Sequence, residues 1–247
     1  MAEPRLSLDH LSKRFGSRLA VDDLSLRVEP GEIYGLIGPN GSGKTTTVKM
    51  VTGLYRPSAG RIVIDGIDLS RAPEAAKRRV GYIPDEPFVY EKMSGREFLH
   101  LVGELYRVPR PERGRRIEEF LALYPIGEIV DQYVETYSRG NRQKVAIMAS
   151  LLHAPSLLIV DEPIVGLDPE SSIRTRELLK RFATDGGAIL LCTHSLAFAE
   201  TVCDRVGLLR DGRLIRDGTL SGLRAQAGLP GASLEALYLH FTNSHPR

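Results

Sequence analysis

The chain has 247 residues, 42% of them hydrophobic and 26% charged, with 33 Lys and Arg against 31 Asp and Glu; that length builds one domain with a substantial core. A net charge of +2 lacks the concentrated basic surface of nucleic-acid binders, so no nucleic-acid partner is expected. Cys192 and Cys203 are too few for a disulfide framework and read as core residues, no apolar run approaches the about 20 residues of a membrane span, and Met1 to His10 carries no secretory-signal core.

In chain order, Leu6 and Leu8, then Leu24, Leu26 and Val28, alternate with polar residues and predict half-exposed antiparallel strands. Glu32 to Gly38 is a mostly apolar strand entering a glycine-rich turn, followed by a helix that stops near Gly53 and Pro57. Ile62 to Ile67 encloses the hairpin pair Asp65-Gly66, and Tyr82-Ile83 forms another strand closed by Pro84. From Ser94 to about Leu152 the pattern becomes helical. Ser94-Gly-Arg-Glu97 is a capping box, and Pro111 opens a second helix ending near Tyr124-Pro125. Arg107, Arg110, Arg113, Arg115 and Arg116 are expected on a solvated helix face. Leu157 to Val160 and Ala188 to Cys192 are continuous apolar runs, as parallel strands covered on both faces require, with a helix between them from Asp168-Pro169. Val206 to Ile215 reads as a hairpin around Asp211-Gly212, and Ser233 to Phe241 as a C-terminal helix.

Gly38-Pro39-Asn40-Gly41-Ser42-Gly43-Lys44-Thr45 fits the phosphate-binding loop G-x-x-x-x-G-K-[ST], and it lies between a strand and a helix, where that mechanism needs it. Its glycines let backbone N–H groups surround phosphate oxygens, and the helix N-terminus adds a positive partial charge. Lys44 is expected to neutralise the β- and γ-phosphates and the Thr45 hydroxyl to ligate Mg²⁺. At the end of a second apolar strand stand Asp161 and Glu162. Asp161 suits magnesium held through its water shell, and Glu162 suits a base for the attacking water. The expected class is therefore α/β: a P-loop NTPase (RecA-like) core with a mixed sheet, an N-terminal antiparallel β subdomain and an inserted helical subdomain. The whole chain reads as one domain, with the α/β core and β subdomain in 1–90 and 156–216, the helical part in 91–155 and a helical tail in 217–247.

The loop is followed by Ser138-Arg-Gly-Asn-Arg-Gln-Lys144, Asp161-Glu162-Pro163, Gly166-Leu-Asp168-Pro169 and Thr193-His194-Ser195. This series, in this order over nearly the whole chain, resembles the nucleotide-binding subunit of an ATP-binding cassette (ABC) transporter. The resemblance implies ATP and Mg²⁺ as cofactors and a head-to-tail pair with a second ABC ATPase subunit, identical or related. It also implies a membrane-spanning permease partner that places the chain on the cytoplasmic side of the membrane. Residue by residue, it implies that Gly38 to Lys44 with Thr45 and Thr46 hold the phosphates and Phe15 stacks on adenine. Ser138 and Gly140 face the γ-phosphate of the partner's ATP, Asp168 crosses the dimer interface, and His194 contacts the γ-phosphate. The signature segment reads Tyr-Ser-Arg-Gly-Asn-Arg-Gln where the family commonly has Leu-Ser-Gly-Gly-Gln. Asp85 stands at the Q-loop position, where glutamine is usual, and an acid there acts on magnesium through water. Ile164-Val165 precedes Gly166 in place of the commoner Thr-Ser or Thr-Ala. The acidic Q-loop position and the Ser233-Leu-Glu-Ala-Leu-Tyr-Leu tail resemble ABC-2-type export systems.

Two other classes fit the sequence less well. A non-transport soluble ABC ATPase with a mechanical or regulatory role would carry paired cassettes or long coiled coils, for which this chain has no room; a small-molecule kinase or GTPase would show a substrate lid or Asn-Lys-x-Asp, the latter absent, and leaves the signature, Asp168 and His194 segments unexplained.

Overall fold

The computed structural model describes residues 3–124 and 126–243; Pro125, where the second helix of the middle region was expected to end, lies outside them, as do residues 244–247 of the tail. Two strands open the chain, β1 (Leu6–Phe15) and β2 (Arg18–Val28). β3 (Ile33–Ile37) leads into α1 (Lys44–Val51), and β4 (Ala59–Ile64), β5 (Ile67–Asp68), α2 (Pro73–Lys77) and β6 (Val80–Ile83) follow. Three helices then intervene, α3 (Gly95–Leu105), α4 (Arg110–Leu123) and α5 (Arg139–Leu151). The chain continues through β7 (Leu157–Asp161), α6 (Pro169–Thr184), β8 (Ala188–Thr193), α7 (Leu196–Val202), β9 (Arg205–Arg210), β10 (Arg213–Thr219), α8 (Leu220–Ala227) and α9 (Leu234–Asn243).

Among the described residues the strands form two sheets. One is antiparallel in the order β2-β1-β4-β5; the other runs β10-β9-β3-β8-β7-β6 and is parallel except for β10. All of β7 and β8 is buried, because alternate side chains enter two different cores. Leu157, Ile159, Ala188 and Leu190 join the core that the sheets share with Val48 and Met50 of α1. Leu158, Val160, Ile189 and Leu191 join the core beneath α3, α5, α6 and α7. Each such Leu or Ile contributes about 1.5–3 kcal/mol on burial, so the uninterrupted apolar runs are what a two-faced central strand demands. A third core packs Leu223, Leu234, Leu237 and Phe241 of α8 and α9 against Val206 and Leu208 of β9.

Local signals account for the punctuation. Leu6 and Leu8 alternate, but the next buried position is Leu11. A bulge with His10 at φ 51° takes up the extra residue, and the β1–β2 register shifts there. Ser94 and Glu97 make both bonds of the capping box of α3. Asp211 and Gly212 take φ of 48° and 83°, as a two-residue hairpin turn of this hand requires. The arginine cluster departs from expectation. Arg113 is buried and Arg116 half-buried, because Gly103 of α3 leaves room for the Arg113 stem: a Cβ at residue 103 would lie 2.4 Å from its Cδ. Arg116 bonds the Leu152 carbonyl and Glu112 at 2.7 Å each. Long arginine stems cover apolar surface while their heads stay paired. Helices α7 and α8 were not separately expected from the sequence. No helix of the described residues is long and apolar enough to cross a membrane.

Candidate active site

The glycine loop turns between β3 and α1. Gly41 and Gly43 take φ of 81° and 112°, and a Cβ at Gly38 would stand 2.3 Å from the Leu209 carbonyl oxygen, so glycine is required on both conformational and steric grounds. The β9–β10 turn braces the loop from outside: the Gly212 N–H donates to Ser42 O and the Asp22 N–H to Gly212 O, each at 2.9 Å. Helix α1 has neither a side-chain cap nor an acidic residue in its first turn. Its leading N–H groups and positive end thus face the cleft without a compensating anion from this helix. Lys44, buried within the loop, donates from Nζ to Gly38 O at 2.6 Å and Pro39 O at 3.1 Å. Burial lowers its pKa, which nearby Cys192, Glu162 and Asp161 oppose.

The cleft over this loop has a volume of about 330 Å³ and is bounded by Phe15, Arg18, Asn40, Lys44, Thr45 and Thr46 among others, within the range of small-ligand sites. Phe15 is 43% exposed. Tyr55 meets it edge to face at 5.4 Å, and Lys13 Nζ lies 5.1 Å from its ring centre. An exposed aromatic face flanked by cations suits a planar base that carries phosphates. Arg18 has no motif to mark it; only its place just past the β1–β2 turn, near Phe15, hints at it.

The strand ends carry the carboxylates. Asp161 is buried and its pKa is pushed up to about 6, first by that burial and then by Glu162 and Asp85, with Lys44 acting the other way. Glu162 adopts φ 48°, a conformation that costs a non-glycine residue about 1 kcal/mol or more. Bonds at every polar end hold it there. Its N–H donates to Cys192 O at 3.0 Å, and Oε2 accepts from Thr193 Oγ1 at 2.8 Å. Oε1 accepts from the His194 N–H at 2.7 Å and meets His194 Nδ1 at 2.6 Å. Thr193 thus positions Glu162, a part that no spacing in the sequence announces.

The remaining residues gather around α5 and α6. Ser138 N-caps α5, accepting from the Asn141 N–H at 3.2 Å. Gly140 lies under the loop before α6, where a Cβ would stand 2.6 Å from Gly166 O. Asp168 N-caps α6 through the Ser171 N–H at 2.8 Å and pairs with the buried Lys144 of α5 at 3.0 Å. Hydrogen bonds from Ser171 and then Lys144 hold its carboxyl well below the usual range. Asp85 contacts Arg139 at 3.4 Å. The structure therefore joins Glu162 to His194, Asp168 to Lys144 and Asp85 to Arg139, and sets Phe15 on the rim of the phosphate loop. Among the described residues no group of three or more His, Cys, Asp or Glu could by itself hold a metal; a cation here would depend on few protein oxygens, as magnesium tolerates when phosphate and water complete its shell.

Residues 21–165 match the family model described as ABC transporter. The chain is 35% identical over 228 residues to the daunorubicin resistance ATP-binding protein DrrA3 of Streptomyces coeruleorubidus, covering 92% of this chain and 72% of that one. It is likewise 35% identical over 237 residues to the ABC-type transporter ATP-binding protein EcsA of Bacillus subtilis, with 96% of each covered. A solved ATP-binding subunit of an ABC transporter superposes with a TM-score of 0.92 at 38% identity, over 96% of this chain and 99% of that one. By sequence, fold and the geometry of its phosphate loop and strand-end carboxylates, the chain belongs to the ABC transporter family, as a nucleotide-binding ATPase subunit.

Proposed function

We propose that the chain is the ATP-driven motor of a membrane exporter, closing on nucleotide together with a second cassette and passing that movement to a separate permease. The observation that carries this reading is the convergence of the glycine loop, buried Asp161, and Glu162 locked against Thr193 and His194 at the ends of β3, β7 and β8. In it, Phe15 supports the adenine. Gly38, Pro39, Asn40, Gly41, Ser42, Gly43, Lys44, Thr45 and Thr46 surround the phosphates. Glu162 takes the proton of the attacking water, and His194 turns from Glu162 to the γ-phosphate. Thr45 and Asp161, with Asp85, would hold Mg²⁺, which when bound would neutralise phosphate charge; burial raises the pKa of Asp161, and a cation there would offset that. Ser138 and Gly140 serve the ATP of the second cassette, and Asp168 lies at the interface between the two.

The permease side is supported by a groove of about 330 Å³ whose walls include Tyr82, Phe88, Phe98, Val102 and Tyr106. Phe88 beside it is 74% exposed, and exposed aromatics around a groove are the residues that anchor partner segments. A permease docked here places the chain peripherally on the cytoplasmic face. Export is supported by the relatives DrrA3 and LnrL, described as daunorubicin and linearmycin resistance ATP-binding proteins. The test is Glu162→Gln: ATP binding retained, steady-state hydrolysis reduced about 100-fold or more, and a dimer accumulating with ATP. Undiminished turnover removes Glu162 as the base. Affinity purification from detergent-solubilised membranes should recover a polytopic protein in stoichiometric amount; soluble partners alone contradict the transport reading.

A further inference from the structure

The first turns of α5 hold an unusual charge arrangement. A helix N-terminus is its positive end, yet here it bears Arg139, Arg142 and Lys144 and no acidic residue in the first turn. Each cation borrows a carboxylate from another segment: Lys144 from Asp168 at 3.0 Å, Arg142 from Glu91 at 3.4 Å, and Arg139 from Asp85 at 3.4 Å. The first of these cations is buried. The Arg139–Asp85 pair is the loosest, with both side chains 54% exposed. Both of its bonds, to Asp85 O and Asp85 Oδ1, come from Nη2 alone, so neither uses the two-nitrogen edge with which a guanidinium grips a phosphate.

The pair is not the sole tether of the Asp85 loop. That loop continues β6, and the fully buried Gln143 donates to Pro84 O at 3.2 Å. The Arg139 stem lies across Gly166, at which a Cβ would stand 3.2 Å from its Cδ, so the side chain rests on the loop that leads to Asp168.

We propose that Arg139 is a positioning residue that serves two anions in turn: Asp85 in the separate chain, and the terminal phosphate of the nucleotide held by a second copy once the two close. This rests on the reading that Ser138 and Gly140, on either side of Arg139, face that phosphate. The phosphate carries more charge than a carboxylate and offers oxygens to both nitrogens of the guanidinium edge, so it displaces an exposed ion pair worth little in water. The exchange releases the Asp85 carboxylate from its ion pair when the partner's nucleotide arrives. One arginine thereby links the two half-sites.

The experiment uses the full chain carrying Glu162→Gln and measures by sedimentation the ATP concentration that gives half-maximal dimer. Arg139→Gly should raise that concentration about tenfold, whereas Arg139→Lys, which keeps the charge but not the two-nitrogen edge, should recover only part of the loss. Binding of a fluorescent ATP analogue to the monomer without Mg²⁺ should not change, because the residue serves the other chain's nucleotide. The deciding measurement repeats Arg139→Gly with Asp85→Asn already present. A persisting loss of about tenfold shows that Arg139 acts on the phosphate. A loss that vanishes once Asp85 is neutral shows that Arg139 only braces Asp85 and overturns the proposal. If Glu162→Gln alone forms no ATP-dependent dimer, the signature reading fails and the proposal with it; a dimer indifferent to Arg139 overturns the proposal alone.

Discussion

Burial governs the chemistry of Asp161. Its carboxyl titrates near 6 in the folded chain, against about 3.9 for a free aspartate. The native state thus binds the extra proton, so the contribution of this group to stability is complete below about pH 4 and is lost as pH rises through 6. At pH 8 and without nucleotide, Asp161→Asn should therefore stabilise the chain by roughly 2 kcal/mol in urea unfolding, while magnesium-dependent hydrolysis falls to background. A destabilised variant would show that the charge is already compensated in the free chain. For the same reason, Mg²⁺-dependent ATP binding should tighten as pH is raised from 5 to 7, read by titration calorimetry. Lys44→Ala should weaken ATP binding about 100-fold, through loss of a buried charge-assisted contact; equal affinity in the same titration would contradict its phosphate role. Lys44, Asp161 and Glu162 could be read from the sequence as candidates because each sits in a short local pattern, and His194 through the family resemblance. Thr193 and Arg18 could not, since what makes them relevant is a contact across the fold, to Glu162 at 2.8 Å and beside the glycine loop.

The same distinction holds for the helices. Asp168-Pro169 announces the start of α6 by cap chemistry alone, and the structure agrees. The second bond of Asp168, to Lys144, unites the starts of α5 and α6 and was invisible beforehand, as 24 residues separate the two. Asp168→Ala removes a cap and leaves a buried ammonium without its carboxylate, so it should cost about 2 kcal/mol or more in urea unfolding. A change under about 0.5 kcal/mol would show that both roles are dispensable. Arg113 was misplaced at this scale too. Its neighbours in sequence are charged, but the glycine opposite it belongs to another helix.

Across the whole molecule, the helices α3 to α5 stand between β6 and β7, strands that pair directly, and α5 packs against both α3 and β6. Phe88→Ser changes a residue that is 74% exposed. It should alter the stability of the isolated chain by less than about 0.5 kcal/mol and leave its ATPase intact, yet reduce co-purification of the permease; unchanged recovery would place the docking surface elsewhere.

From the sequence by itself came the P-loop core and the two-faced central strands, because these depend on periodicity, cap chemistry and residues a few positions apart. Only the tertiary structure decided which partners each charged side chain takes: Glu162 with His194, Lys144 with Asp168, and Arg139 with Asp85. Those choices depend on which chain segments meet in space, and an ion pair acts over only a few ångströms whatever the separation along the chain.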